Sequence, residues 1–194
     1  MIDLKLKYKG SRNYLQGGDF YNAITDQLTN RLGGYLTRLA FKHFARHQSL
    51  LALDPPTENL PVIGNGTWRA ASGEAQRFWL LETDIAVTES YPFDEDAITT
   101  SALTEGRSIV GSGSQTYSAI ENIIALTKRL NYALTPDVPG KWLFGQLDLN
   151  TELPSTWAEI CIERYLCVGD NFSRNRIMID KIDLGEIRFI VGEP

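Results

Sequence analysis

The sequence predicts an α+β protein of two similar halves, each a helix packed on antiparallel strands. Three observations predict it. Two amphipathic runs with helical spacing stand near residues 19–32 and 117–133. Segments that alternate apolar and polar residues surround both. Short pieces of sequence recur between the halves. The expected boundary gives a unit over 1–96 and a second over 97–194, fused as one compact domain.

The elements follow in chain order. "IDLKLKY" at 2–8 alternates with period two and reads as a strand. "KGSRNYLQGG" is a loop rich in turn formers. A helix starts near Gly18 or Asp19, with Asp19 as cap or first-turn acid. Phe20, Ala23, Ile24, Leu28 and Leu32 form its apolar stripe, and Gly33-Gly34 ends it. "YLTRLAFKHFARHQSLLALD" is read as strand broken at the polar "RHQS", because the paired glycines stop the helix. "PPTENLPVIGNG" reads as loop. Residues 67–90 read as a hairpin turning at Ser72-Gly73, with Phe78 and Leu80 alternating against Trp79 and Leu81.

Residues 91–116 are turn-rich, with a short strand at "RSIVG". "TYSAIENIIALTKRLNYAL" is the clearest helix, with Ala119, Ile120, Ile123, Ile124, Leu126 and Leu130 expected on a deeply buried face. "WLFGQLDLN", "WAEICIERYLCVG", "RNRIMIDKIDL" and "GEIRFIVG" form an antiparallel meander, turning at Gly169-Asp170-Asn171 and near Leu184-Gly185.

Composition narrows the function classes. The chain has 194 residues, a net charge of -5, 43% hydrophobic and 22% charged residues, which is the balance of a globular domain. The acidic balance argues against general nucleic-acid binding. No apolar run is long enough to span a bilayer, and the start lacks the apolar core of a signal peptide. Cys161 and Cys167 are expected on one face of a strand, too far apart to pair. A reduced, cytoplasmic protein is the simplest reading. With His43 and His47 as the two histidines, no metal-ligand spacing is present, so neither a metal nor a cofactor is implied.

The repeat is short. "YNAI" at 21–24 is followed by "LTNRL" at 28–32, and "YSAI" at 117–120 by "LTKRL" at 126–130. Each pair sits on an expected helix, after a Gly-containing loop and before strands.

A strand, a Gly-Gly loop, one long helix and a meander together resemble the hotdog fold. "LQGGDFYNAITDQ" resembles the "HGG…D" segment of hotdog acyl-CoA thioesterases, and "YLTRLAFKHFARHQSLLALD" is similar to their next strand. Taken twice, the chain resembles a tandem double hotdog. The resemblance implies an acyl-thioester hydrolase or dehydratase-like protein, with acyl-CoA or an acyl-carrier protein as partner. The alternative is a non-catalytic binding or assembly protein of the same fold. Whether the protein is an enzyme stays open, as does whether two chains pair as a homodimer.

The residues for such chemistry can be named. Gly17 and Gly18 would let a carbonyl approach backbone N–H groups at a helix start. Gln16 stands where the family has its histidine, and could add a donor. Asp26, slightly off the motif's position, or Glu121 on the second helix would activate water or attack. Asp19, Asn122 and His43 complete the candidate binding set, and Lys42 and Arg46 add a small basic cluster. Each also has a plain structural reading: a turn, a helix-terminal acid or a solvated face. No G-x-S-x-G elbow is present, so an α/β-hydrolase is not supported.

Overall fold

The computed structural model describes residues 1–57 and 59–193. The chain divides into two compact units, Met1–Phe93 and Asp94–Pro194.

The first unit contains β1 (Ile2–Asp3), β2 (Tyr8–Lys9), α1 (Gly17–Leu32), β3 (Tyr35–Phe41), β4 (His47–Ala52), β5 (Val62–Arg69), β6 (Ala75–Ala86) and β7 (Ser90–Tyr91). Its sheet has the order β1-β4-β6-β5-β3, antiparallel throughout. α1 packs on β3 through its apolar stripe, with Phe20, Ile24 and Leu28 at 1% exposure or less. β2 and β7 form a separate two-stranded parallel ribbon.

The second unit contains α2 (Asp96–Thr99), β8 (Leu103–Glu105), β9 (Ser108–Gly111), α3 (Ala119–Leu134), β10 (Lys141–Leu149), β11 (Ile160–Val168), β12 (Phe172–Ile179) and β13 (Ile182–Gly192). Its strands run β10-β13-β12-β11-β9-β8, again antiparallel. α3 packs on β9, β10, β11 and β12. No helix among the described residues is long and apolar enough to cross a membrane.

Several expectations need correction. The first strand is interrupted: Lys5 takes a left-handed φ of 49°, leaving only β1 and β2 at its ends. The Gln48 side chain substitutes for the missing ladder, accepting from Leu6 N–H at 2.9 Å and donating to Leu6 C=O at 2.8 Å. β5 begins at Val62, inside the segment read as loop.

The last turn lies at Asp180-Lys181, not at Leu184-Gly185. Both residues have positive φ (50° and 69°), and Ile179 pairs with Ile182, the geometry of a tight two-residue hairpin. Gly185 instead lies within β13 at φ 129°, where a Cβ would stand 2.1 Å from Asp148 C=O. Ile124 is half-buried rather than deeply buried, whereas Ile120 and Ile123 are fully buried.

The two cysteines do not share a face. A bulge places Tyr165 as the extra residue between the Arg164–Asn175 and Leu166–Arg174 pairs. Cys161 therefore sits opposite Met178, while Cys167 sits opposite fully buried Ser173 on the other face. Both are free thiols. The recurring letters are also out of phase with the helices: Tyr21 lies inside α1, whereas Tyr117 precedes the Ser118 cap of α3.

Candidate active site at the start of α1

α1 begins without a side-chain cap. Gln16 occupies the N-cap with extended backbone (φ -93°, ψ 142°) and makes no capping bond through its side chain. Its carbonyl accepts from Asp19 N–H at 3.0 Å and Phe20 N–H at 3.2 Å. Gly17 and Gly18 form the first two helical positions, and Gly18 is buried. First-turn N–H groups have no partner within a helix. Among the described residues, the N–H groups of Gly17 and Gly18 have none elsewhere.

This helix start is held by distant parts of the unit. The parallel β2–β7 ribbon sets Lys9 opposite Tyr91. Lys9 Nζ reaches Asp19 Oδ1 at 3.1 Å, with the side chains only 5% and 9% exposed. Tyr91 Oη donates to the same carboxylate oxygen at 2.6 Å. The ammonium also lies 4.4 Å from the Phe93 ring centroid and 5.7 Å from that of Tyr91, within cation–π range. Asp19 thus has three stabilising influences: an ion pair, a phenol donor and the positive end of the helix. The loop before the helix is tied down by Leu15 N–H, which donates to Ala45 C=O at 2.8 Å, and by Tyr14 packing edge-on to Phe44.

The other candidates lie elsewhere. Asp26 is exposed, on the face of α1 opposite Ile24 and Leu28, and its carbonyl accepts from the Asn30 side chain. His43 is exposed just beyond β3, as are Lys42 and Arg46. In the second unit, Glu121 and Asn122 are both buried at the start of α3. The Glu121 carboxylate accepts from the Ser118 N–H and hydroxyl, each at 2.9 Å, as the acid of a capping box. Asn122 knits the preceding loop: its Oδ1 accepts from Ser114 N–H, and its Nδ2 donates to the carbonyls of Ser114, Tyr117 and Ser118. Gly113 (φ 62°) is required there, since a Cβ would stand 2.2 Å from Asn122 Oδ1.

In the first unit the structure brings Gln16, Gly17, Gly18 and Asp19 together and leaves Asp26 and His43 apart from them. Lys9, Tyr91 and Phe93 escaped the sequence reading. Lys9 is one lysine in an alternating basic strand, and nothing local marks it as buried. Among the described residues, no group of three or more His, Cys, Asp or Glu side chains is placed to hold a metal.

No family model matches the chain, and no curated protein matches it. Solved structures do. The dehydratase domain of PpsC from Mycobacterium tuberculosis aligns at 7% identity and TM-score 0.51, over 92% of this chain and 85% of its own. A bifunctional dehydratase-cyclase domain of ambruticin biosynthesis aligns at 12% identity and TM-score 0.49, covering 93% and 83%. A protein provisionally assigned as a thioesterase from Novosphingobium aromaticivorans aligns at 12% identity and TM-score 0.43, covering 98% and 93%. At such identities the likeness speaks for the fold, and the first of these carries it. Together with a long helix laid on antiparallel strands, it gives the chain the hotdog fold.

Proposed function

We propose that the chain is a tandem double hotdog that takes an acyl thioester, as acyl-CoA or on an acyl-carrier protein, and acts as a hydrolase or dehydratase-like protein. The observation that carries this reading is the uncapped start of α1, where two glycine N–H groups have no partner among the described residues. Their missing side chains allow a thioester carbonyl to come close, and the helix dipole favours the negative charge its oxygen develops. The PpsC domain was solved with C12:1-CoA, which suits the same ligand class. The two-unit division, with one 16-residue helix per unit, supports the tandem arrangement.

A second reading has its own support. Gln16 can donate a hydrogen bond but cannot shuttle a proton near neutral pH. Asp19 is committed to Lys9 and Tyr91, Glu121 is committed to its cap, and Asp26 faces solvent. A protein that binds acyl thioesters without turning them over fits these facts.

Thiol release and the absorbance of enoyl thioesters, measured over a panel of acyl-CoA and acyl-carrier substrates, test turnover. Ligand-induced thermal shift tests binding. Gly18→Val should abolish the shift, while Gly18→Ala reports whether the helix start tolerates any side chain. Asp26→Asn and Glu121→Gln should remove turnover if either acid acts in the chemistry. A shift without turnover selects the binding protein. Neither shift nor turnover overturns both readings.

A further inference from the structure

The interior of the second unit contains polar groups that its apolar packing does not explain. Asn131 on α3 and Asn175 on β12 are both 0% exposed. Neither Oδ1 nor Nδ2 of Asn131 has a hydrogen-bond partner among the described residues, and neither does Asn175 Oδ1. Asn175 Nδ2 is engaged, donating to Ser173 Oγ at 3.0 Å and Ile187 C=O at 3.2 Å, which fixes its amide orientation. Asn131 has both ends unpaired, so flipping its amide changes nothing.

Arg164 places Asn175 on the sheet face that the C-terminal end of α3 covers. It is the cross-strand partner of Asn175, so both side chains leave the sheet on the same face. Its Nη1 donates to Thr135 Oγ1 at 2.7 Å, one helical turn beyond Asn131, so that face is the one α3 covers. Ser173, also fully buried, adds a hydroxyl to the same layer.

Leaving such groups unpaired in an apolar interior costs too much for a stable fold, and internal water is the usual partner. The set needs a ligand that both donates and accepts: Asn131 Nδ2 offers protons, while the two Oδ1 atoms require them. An anion would satisfy the first and repel the second.

The geometry points to a built hydration site inside the second unit, in which at least one permanently bound water joins Asn131 on α3 to Asn175 on β12. Such a water is a structural component of the helix–sheet layer. The site is independent of the acyl-thioester reading.

Water–protein cross-relaxation in the isotope-labelled full chain tests it directly. The expected result is a long-lived water seen from the side-chain amides of both Asn131 and Asn175, with oxygen-17 relaxation dispersion of the intact protein giving an independent count of such waters. Asn131→Leu should abolish the cross-peaks at Asn175. Should that variant fail to fold, the wild-type measurements decide alone. Absence of any long-lived water at the two amides, a direct bond between them in a crystal structure, or persistence of the Asn175 cross-peaks in Asn131→Leu would overturn the proposal.

Discussion

The two long helices start in opposite ways. α3 is capped by its own sequence: Ser118, Glu121 and Asn122 satisfy each other and the loop before them within a span of a few residues. α1 has no side-chain cap and opens on two glycines, the poorest helix formers after proline. Its first turn is held instead by Lys9 and Tyr91, which reach Asp19 from outside the helix, Tyr91 across a sequence separation of 72. A local cap occupies the N–H groups it satisfies. A tertiary clamp on Asp19 leaves those of Gly17 and Gly18 without a partner among the described residues, and an open helix start is where a ligand can bind.

The largest effect should come from breaking the clamp. Lys9→Met leaves a buried carboxylate without its cation and is expected to cost about 3–5 kcal/mol in urea denaturation. Adding Asp19→Leu removes the stranded charge and should restore most of that loss. A cost below about 1 kcal/mol for the single variant would show that the pair does not hold α1.

Next come the stripes that anchor both helices to their sheets. Leu28→Ala on α1 and Ile123→Ala on α3 should each cost about 2–5 kcal/mol. Ile124→Ala, beside Ile123 but half-buried, should cost clearly less. Equal losses at 123 and 124 would mean that α3 is rotated from the orientation described.

The local cap should matter less than the clamp. Ser118→Ala is expected to cost about 0.5–2 kcal/mol. If it matched Lys9→Met, the contrast between local and tertiary control would fail.

The smallest effect belongs to an open ion network on the second unit's sheet. Partial burial by itself would raise the Glu186 carboxyl, but hydrogen bonds from Tyr165, Arg174 and Arg188 outweigh it and hold the group at about 2, below its ordinary 4.5. The unfolded chain therefore takes up this proton first. The contribution is complete above pH 4.5 and is lost as pH falls toward 2. Glu186→Gln should flatten that part of the acid denaturation profile. An unchanged profile would show that the network, being partly exposed, adds nothing measurable.

Whereas the short α2 lies in a stretch read as turns, the two long helices, most strands and the hairpin turn at Ser72-Gly73 were legible in the sequence because periodicity and turn chemistry act over a few residues. The same holds for Gly17-Gly18 as a helix start and for Asp19 as a first-turn acid. Two of the errors fall where a partner distant in the chain changed the outcome. Gln48 took over the hydrogen bonds of Leu6 and ended a strand that alternates correctly. The bulge at Tyr165 reversed the faces of every later residue in β11, Cys167 among them.

By itself, then, the sequence determined where the two long helices and most strands lie, and most of the residues in the apolar stripes. Those properties depend on spacing and on contacts within a turn or two. Only the tertiary structure decided that Lys9 is buried, that it meets Asp19 and Tyr91, and that Asp26 faces away from them. Burial of a charge depends on what the rest of the fold places around it, and no window of sequence contains that information.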